Sequence, residues 1–172
     1  MPIVISIVSS PEATTTNQPL IWAAGGIATA SQVAAVLTLG ADAAVLGTRL
    51  LVTPEATYTE AQKELLIRSE SEDAVRTTVF DEVRGTKGWP AGVDGRAIRN
   101  KTVSDAINGS TEEERKKVYE EAVKKGDVER IVTWSGSSVS LINQIQPASE
   151  VISSLARETR DLLQRSSSLA TW

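Results

Sequence analysis

An α/β fold with parallel strands is predicted by three features of one stretch, "PLIWAAGGIATASQVAAVLTLGADAAVLGTRLL", residues 19–51. Its two apolar runs are short and apolar at nearly every position, which suits strands buried on both faces of a parallel sheet. Between them lies a segment with helical spacing. The links are tight, ending the strands in Gly-Gly and Gly-Thr, and strand–helix–strand with tight links is a βαβ unit with a right-handed crossover.

The remaining elements follow in order. "PIVISIV" has strand character, and "SSPEATTTNQ" is a polar, turn-rich link. "PLIWAA" is the next strand, with Trp22 in the core. In "ATASQVAAVLTLG", Ala30, Val33, Ala34 and Leu37 share one helical stripe, and Gly40 supplies the stop. "ADAAVLGT" is the partner strand. "TYTEAQKELLIRSES" predicts an amphipathic helix with Ala61, Leu65 and Leu66 inward and Thr59 and Gln62 at capping-box spacing. "AVRTTVFDEV" has strand propensity at Val75, Thr77, Val79 and Val83. "RGTKGWPAGVDGRAIRN" reads as a Gly/Pro-rich connection, and "TEEERKKVYEEAVKKGD" as a charged helix ended by Gly126. "ERIVTWSGSSVSLIN" predicts a short strand, a small-residue turn and a helix start, with Trp134 in the core. "PASEVISSLARETRDLLQR" predicts a final amphipathic helix, with Val151, Leu155, Leu162 and Leu163 on its apolar side and Pro147 in its first turn.

Composition narrows the function. The chain has 172 residues, 41% of them hydrophobic and 23% charged, enough for a proper core in one domain or two small ones. Net charge is −4, and Lys116, Lys117, Lys124 and Lys125 are interleaved with glutamates, a solvated helix face rather than a nucleic-acid surface. Cysteine and histidine are absent, which removes thiolate chemistry, disulfides and the usual general base near neutral pH. No metal site is expected. No apolar stretch reaches the roughly 18 residues of a membrane span, and "MPIVISIVSS" lacks a basic leader region. A cytoplasmic protein is the expectation.

The strand ends carry the candidate site. Glycine at the carboxyl end of a strand permits positive φ and close backbone approach to a ligand, and a following helix start favours a phosphate. Two such ends side by side converge on one anion, and (βα)8 barrels often hold a cofactor phosphate in the loops after strands 7 and 8. Gly25, Gly26, Gly47 and Thr48 therefore form a candidate phosphate cup. Tight turns without a ligand are the alternative. A dinucleotide site is disfavoured, because no GxGxxG is present.

"AAGGIATASQVAAVLTLGADAAVLGTRLLVTPEA", "TTVFDEVRGTKGWPAGVDGRAIRN" and "WSGSSVSLINQIQPASEVISSL" resemble segments of the nitronate monooxygenase family, its fungal members in particular. The resemblance covers residues 19 to about 165. It implies an α/β fold that is the C-terminal part of a TIM-type (βα)8 barrel with a small inserted α/β substrate domain. It implies FMN as cofactor and an alkyl nitronate as substrate, oxidised with O2. Residues 20–24 and 43–47 would be strands 7 and 8. The division expected is 1–56 for that barrel region with an atypical N-terminus, 57–130 for the inserted domain and 131–172 for the return segment. Ala30, and the serines of "WSGSSVS", stand where the family favours glycine. Family members carry a catalytic histidine upstream of the Gly-Gly element, so this chain reads as a form without the reacting end. No catalytic residue is assigned. A non-catalytic remnant that binds a phosphorylated ligand or a partner chain is the rival, and exposed strand edges suggest homo-oligomers.

Other polar residues read as structural. Asp81, Glu82, Asp94 and Arg96 are expected as surface ion pairs or turn formers, with contact to a nitronate as the alternative, and Asp81 and Asp94 are expected to be solvated. Trp89 is expected as a packing plug or pocket wall, and Arg49 as a phosphate contact or a loop anchor.

Overall fold

The computed structural model describes residues 19–169. The strand expected in "PIVISIV" and the link after it lie outside them. In chain order the elements are β1 (Trp22–Ala24), α1 (Ala30–Thr38), β2 (Ala43–Val45), α2 (Thr48–Leu51), α3 (Glu60–Arg68), β3 (Ala74–Thr77), α4 (Val79–Arg84), β4 (Gly95–Ile98), α5 (Lys101–Ile107), α6 (Glu112–Lys125) and α7 (Ala148–Leu169), with short 3-10 turns at Ser71–Asp73 and Val139–Leu141. The fold is mixed α/β. It divides into two compact units: one up to Ala56 together with the chain from Ile145 on, the other Thr57–Gln144. Ile131, Val132 and Trp134 pack on the core of the second unit.

In the first unit β1 and β2 pair in parallel, Trp22 with Ala43 and Ala24 with Val45. Asp42 fixes the start of this pair: its carboxylate accepts from Ile21 N at 2.7 Å, and its own N–H donates to Ile21 O at 2.8 Å. Helix α1 starts where Thr29, in extended backbone, accepts from Gln32 N at 3.3 Å. Such a cap stabilises a helix by about 1 kcal/mol. Helix α1 packs on α7, where buried Thr159 donates to Ala30 O. The small core holds Ala23, Ile27 and Ala41.

Trp22 is not in that core. It is 66% exposed while Ala23 is fully buried. Among the described residues, the two-stranded sheet is covered on the face meeting Ile27 and Ala41, which is the side that Ala23 faces.

The second unit is built around Phe80, Val83, Ala97, Val103 and Tyr119. Helix α3 begins at the Thr59–Gln62 capping box as predicted, but Ala61 is exposed and Gln62, Lys63 and Leu66 are the buried positions. Strand β3 stops at Thr77, and Val79 and Val83 belong to α4. "GRAI" is a strand rather than a connection: β4 pairs antiparallel with β3, Ala74 opposite Ile98 and Thr77 opposite Gly95. "VTW" forms no named strand; Trp134 makes a single bridge to Ala97, and a 3-10 turn replaces the helix start. Helix α6 ends at Gly126 in the left-handed region, φ +65°. No helix among the described residues is long and apolar enough to cross a membrane.

Candidate functional site

The parallel register brings the predicted residues together. Ala24 and Val45 end their strands as direct partners, so Gly25-Gly26 and Gly47-Thr48 leave the same sheet end. Gly25 and Gly26 both have positive φ, +89° and +71°, a backbone that side-chain-bearing residues rarely adopt. Gly47 caps α2, and Thr48 is its first residue. A β-carbon added at Gly25 or Gly47 would meet no heavy atom within 4 Å, so both open onto free space.

Gln32 shapes this turn. Its Oε1 accepts from Ala28 N at 2.9 Å and Thr29 N at 3.1 Å, and its Nε2 donates to Gly26 O at 2.8 Å. One amide therefore ties the Gly-Gly turn to the start of α1. Thr29 and Gln32 have the same T-x-x-Q spacing as Thr59 and Gln62, and that spacing is the signal for Gln32 in the sequence.

Arg49 is an anchor. It is 8% exposed and donates to Gln146 Oε1, an amide rather than an acid, just before α7. Burial pulls its pKa below the ordinary arginine value.

The acidic residues lie in the second unit. Glu82 pairs with Arg115 at 2.6 Å and Asp94 with Arg76 at 2.5 Å. Arg96 donates to Ala74 O at 2.7 Å. Asp81 is not solvated: it is 7% exposed, because Thr86 folds back and donates its hydroxyl to Oδ1 at 2.8 Å. Trp89 is 60% exposed and lines a cavity. Trp134 is half-buried against the Phe80 core, as its sequence context predicts. Its main chain is clamped by Tyr58, whose hydroxyl accepts from Trp134 N at 2.8 Å and donates to Trp134 O at 3.3 Å. Burial raises the Tyr58 phenol above its ordinary value, opposed by the bond to Trp134 and by the charge of Arg84.

The Nitronate monooxygenase family profile matches residues 3–158. The chain belongs to the nitronate monooxygenase family. It is 33% identical over 151 residues to a nitronate monooxygenase of Neurospora crassa, covering 87% of this chain and 40% of that protein. It is 33% identical over 150 residues to nitronate monooxygenase npaC of Metarhizium robertsii, covering 83% of this chain and 41% of that one. A solved nitroalkane oxidase from Streptomyces ansochromogenes superposes with a TM-score of 0.67 at 25% identity, over 87% of this chain and 42% of its own. The chain thus spans about two-fifths of the length of these nitronate monooxygenase relatives.

Proposed function

We propose that this chain carries the phosphate-binding end of an FMN-dependent, nitronate monooxygenase-like oxidoreductase. In this reading the first unit is the C-terminal part of a (βα)8 barrel, and Thr57–Gln144 is the inserted substrate domain. The observation that carries it is the pair of register-matched strand ends, with two consecutive left-handed glycines on one and Gly47-Thr48 on the other. The open space at Gly25 and Gly47 supports close approach of a ligand to the backbone there. When bound, FMN supplies the redox chemistry, taking electrons from an alkyl nitronate and passing them to O2.

The chain's own part is to hold the anion. Backbone N–H groups of Gly26, Gly47 and Thr48 would donate to the phosphate, and the Thr48 hydroxyl would add a donor. Gln32 holds the Gly26 carbonyl and so fixes the Gly26–Ile27 peptide that follows the paired glycines. Arg49 holds the second loop in place through Gln146. Histidine is absent from the sequence, so no catalytic base is assigned to these residues. The two-stranded sheet also leaves edges without a further strand among the described residues, and these are templates for association.

Titration calorimetry with FMN and with inorganic phosphate tests the cup. Gly26→Val should weaken binding about tenfold, or about 1.4 kcal/mol. Gly47→Val is the companion variant, since φ is negative there and a β-carbon would enter open space. Unchanged affinity in both rejects the cup. In an oxygen electrode, the 172-residue chain with FMN should consume no more O2 on alkyl nitronates than free FMN does. Turnover above that rate, abolished by Gly47→Val, would show that the reacting end is present after all.

A further inference from the structure

We infer that the second unit holds a separate binding site for a flat aromatic carboxylate that also bears an N–H or O–H donor. The site is a cavity of about 470 Å³ between α4, the 85–94 loop and Trp134, within the size range of small-molecule pockets.

The cavity is built rather than left over. Its loop is tied down at both ends. Thr86 bonds Asp81 through both its N–H and its hydroxyl, Lys87 pairs with Glu112 at 2.5 Å, and Arg76 reaches both Gly92 O and Asp94. Trp134, which forms one wall, meets Phe80 edge to face at 6.1 Å. Gly95 lies flat against its ring, where a β-carbon would come within 2.4 Å. Trp89 supplies an apolar wall and stays 60% exposed.

Two polar groups at this cavity are left with capacity. Arg84 lies over the Trp134 ring at 5.5 Å and has no ion-pair partner among the described residues, while Arg76, Lys87 and Arg115 around it are all paired. An unpaired guanidinium beside an aromatic face suits a carboxylate, which it binds in a two-pronged fork. Asp81 is more than nine-tenths buried and faces the cavity, and no hydrogen bond among the described residues reaches its Oδ2. A carboxylate oxygen with no hydrogen bond on it can accept from a ligand's donor. Asp81 and Arg84 stand three residues apart on α4 and so share one face. A single ligand can therefore give its carboxylate to Arg84, its donor to Asp81 and its ring to the indoles.

The probe is para-aminobenzoate, titrated into the full chain while the indole N–H resonances are followed by heteronuclear NMR. Saturable shifts confined to Trp89 and Trp134 are expected. Arg84→Gln should weaken para-aminobenzoate about tenfold yet leave the neutral para-aminobenzamide within about twofold. Trp89→Ala, at an exposed position that folding tolerates, should weaken both. Gly47→Val should change neither, which keeps this site's failure distinct from that of the phosphate cup. The assignment is overturned by the absence of saturable shifts up to about 10 mM, or by Arg84→Gln weakening acid and amide alike, which would make the arginine purely structural.

Discussion

The two units bury apolar surface in different ways. Thr57–Gln144 closes around a large aromatic, Phe80, with no exposed area, and stacks Val83, Val103 and Tyr119 on it. The other unit centres on Ala23, Ile27 and Ala41, while Leu20 and Trp22 stand 73% and 66% exposed. Large side chains therefore stabilise one unit from within, and small ones let strands and helix approach closely in the other. A core of small residues gains less from burial, since the gain scales with apolar area. The difference teaches that the unit carrying the paired glycine turns rests on backbone geometry, and the unit carrying the cavity on side-chain packing.

The largest test of that contrast is Phe80→Ala, which should cost about 3–5 kcal/mol. Urea denaturation should show the loss, and limited proteolysis should place the first cuts within Thr57–Gln144. A single transition that takes both units down together would merge what the packing separates. Gly95→Ala comes next. Its new methyl drives into the rigid Trp134 ring, where the nearest carbon is at 2.4 Å, and overpacking of this kind costs about 1–3 kcal/mol. Thermal unfolding should show a lower midpoint, and an unchanged midpoint would mean that Trp134 is free to shift.

Tyr58→Phe is smaller, about 1–2 kcal/mol for the two bonds to the Trp134 main chain. It also has a pH signature. The phenol's folded pKa lies above its unfolded value near 10. Its contribution is therefore complete below about pH 10 and is lost as pH rises through the folded value. Wild-type stability should fall in that alkaline window, and the Tyr58→Phe profile should be flatter there. Equal slopes would remove Tyr58 from the account. Trp22→Ser should change stability least, within about 0.5 kcal/mol, as expected at an exposed position. Light scattering should show less self-association than wild type, and no change would take Trp22 out of any contact between copies.

Local signals in the sequence were legible in both units, and non-local ones were not. The βαβ element is readable because strand, helix and stop are each written in adjacent residues, down to Gly40. The cap at Thr59 and the stop at Gly126 are equally local. Strand β4 escapes because its Gly and Arg residues lack strand character, and only pairing with Ala74–Thr77 makes it one. Val79 and Val83 are ambiguous in so short a run, and packing of Phe80 into the core decides for helix. The glycine turns at the two strand ends could be marked residue by residue. The burial of Asp81 could not, since it depends on Thr86 folding back across the head of a loop.

The Gln32 amide has one more consequence, and it concerns how this segment can change by descent. Gln32 spans six positions to reach Gly26 O and four to reach Ala28 N. The turn is thus counted as well as shaped. A residue gained or lost between 27 and 31 moves the amide by about 100° around the start of α1, and it can no longer meet both ends of its span. Replacing the amide by glutamate keeps the length but substitutes an acceptor for the donor that Gly26 O requires. Variation here is therefore confined to exchanges of side chains at fixed spacing, and loop length is the character that drift is least free to alter.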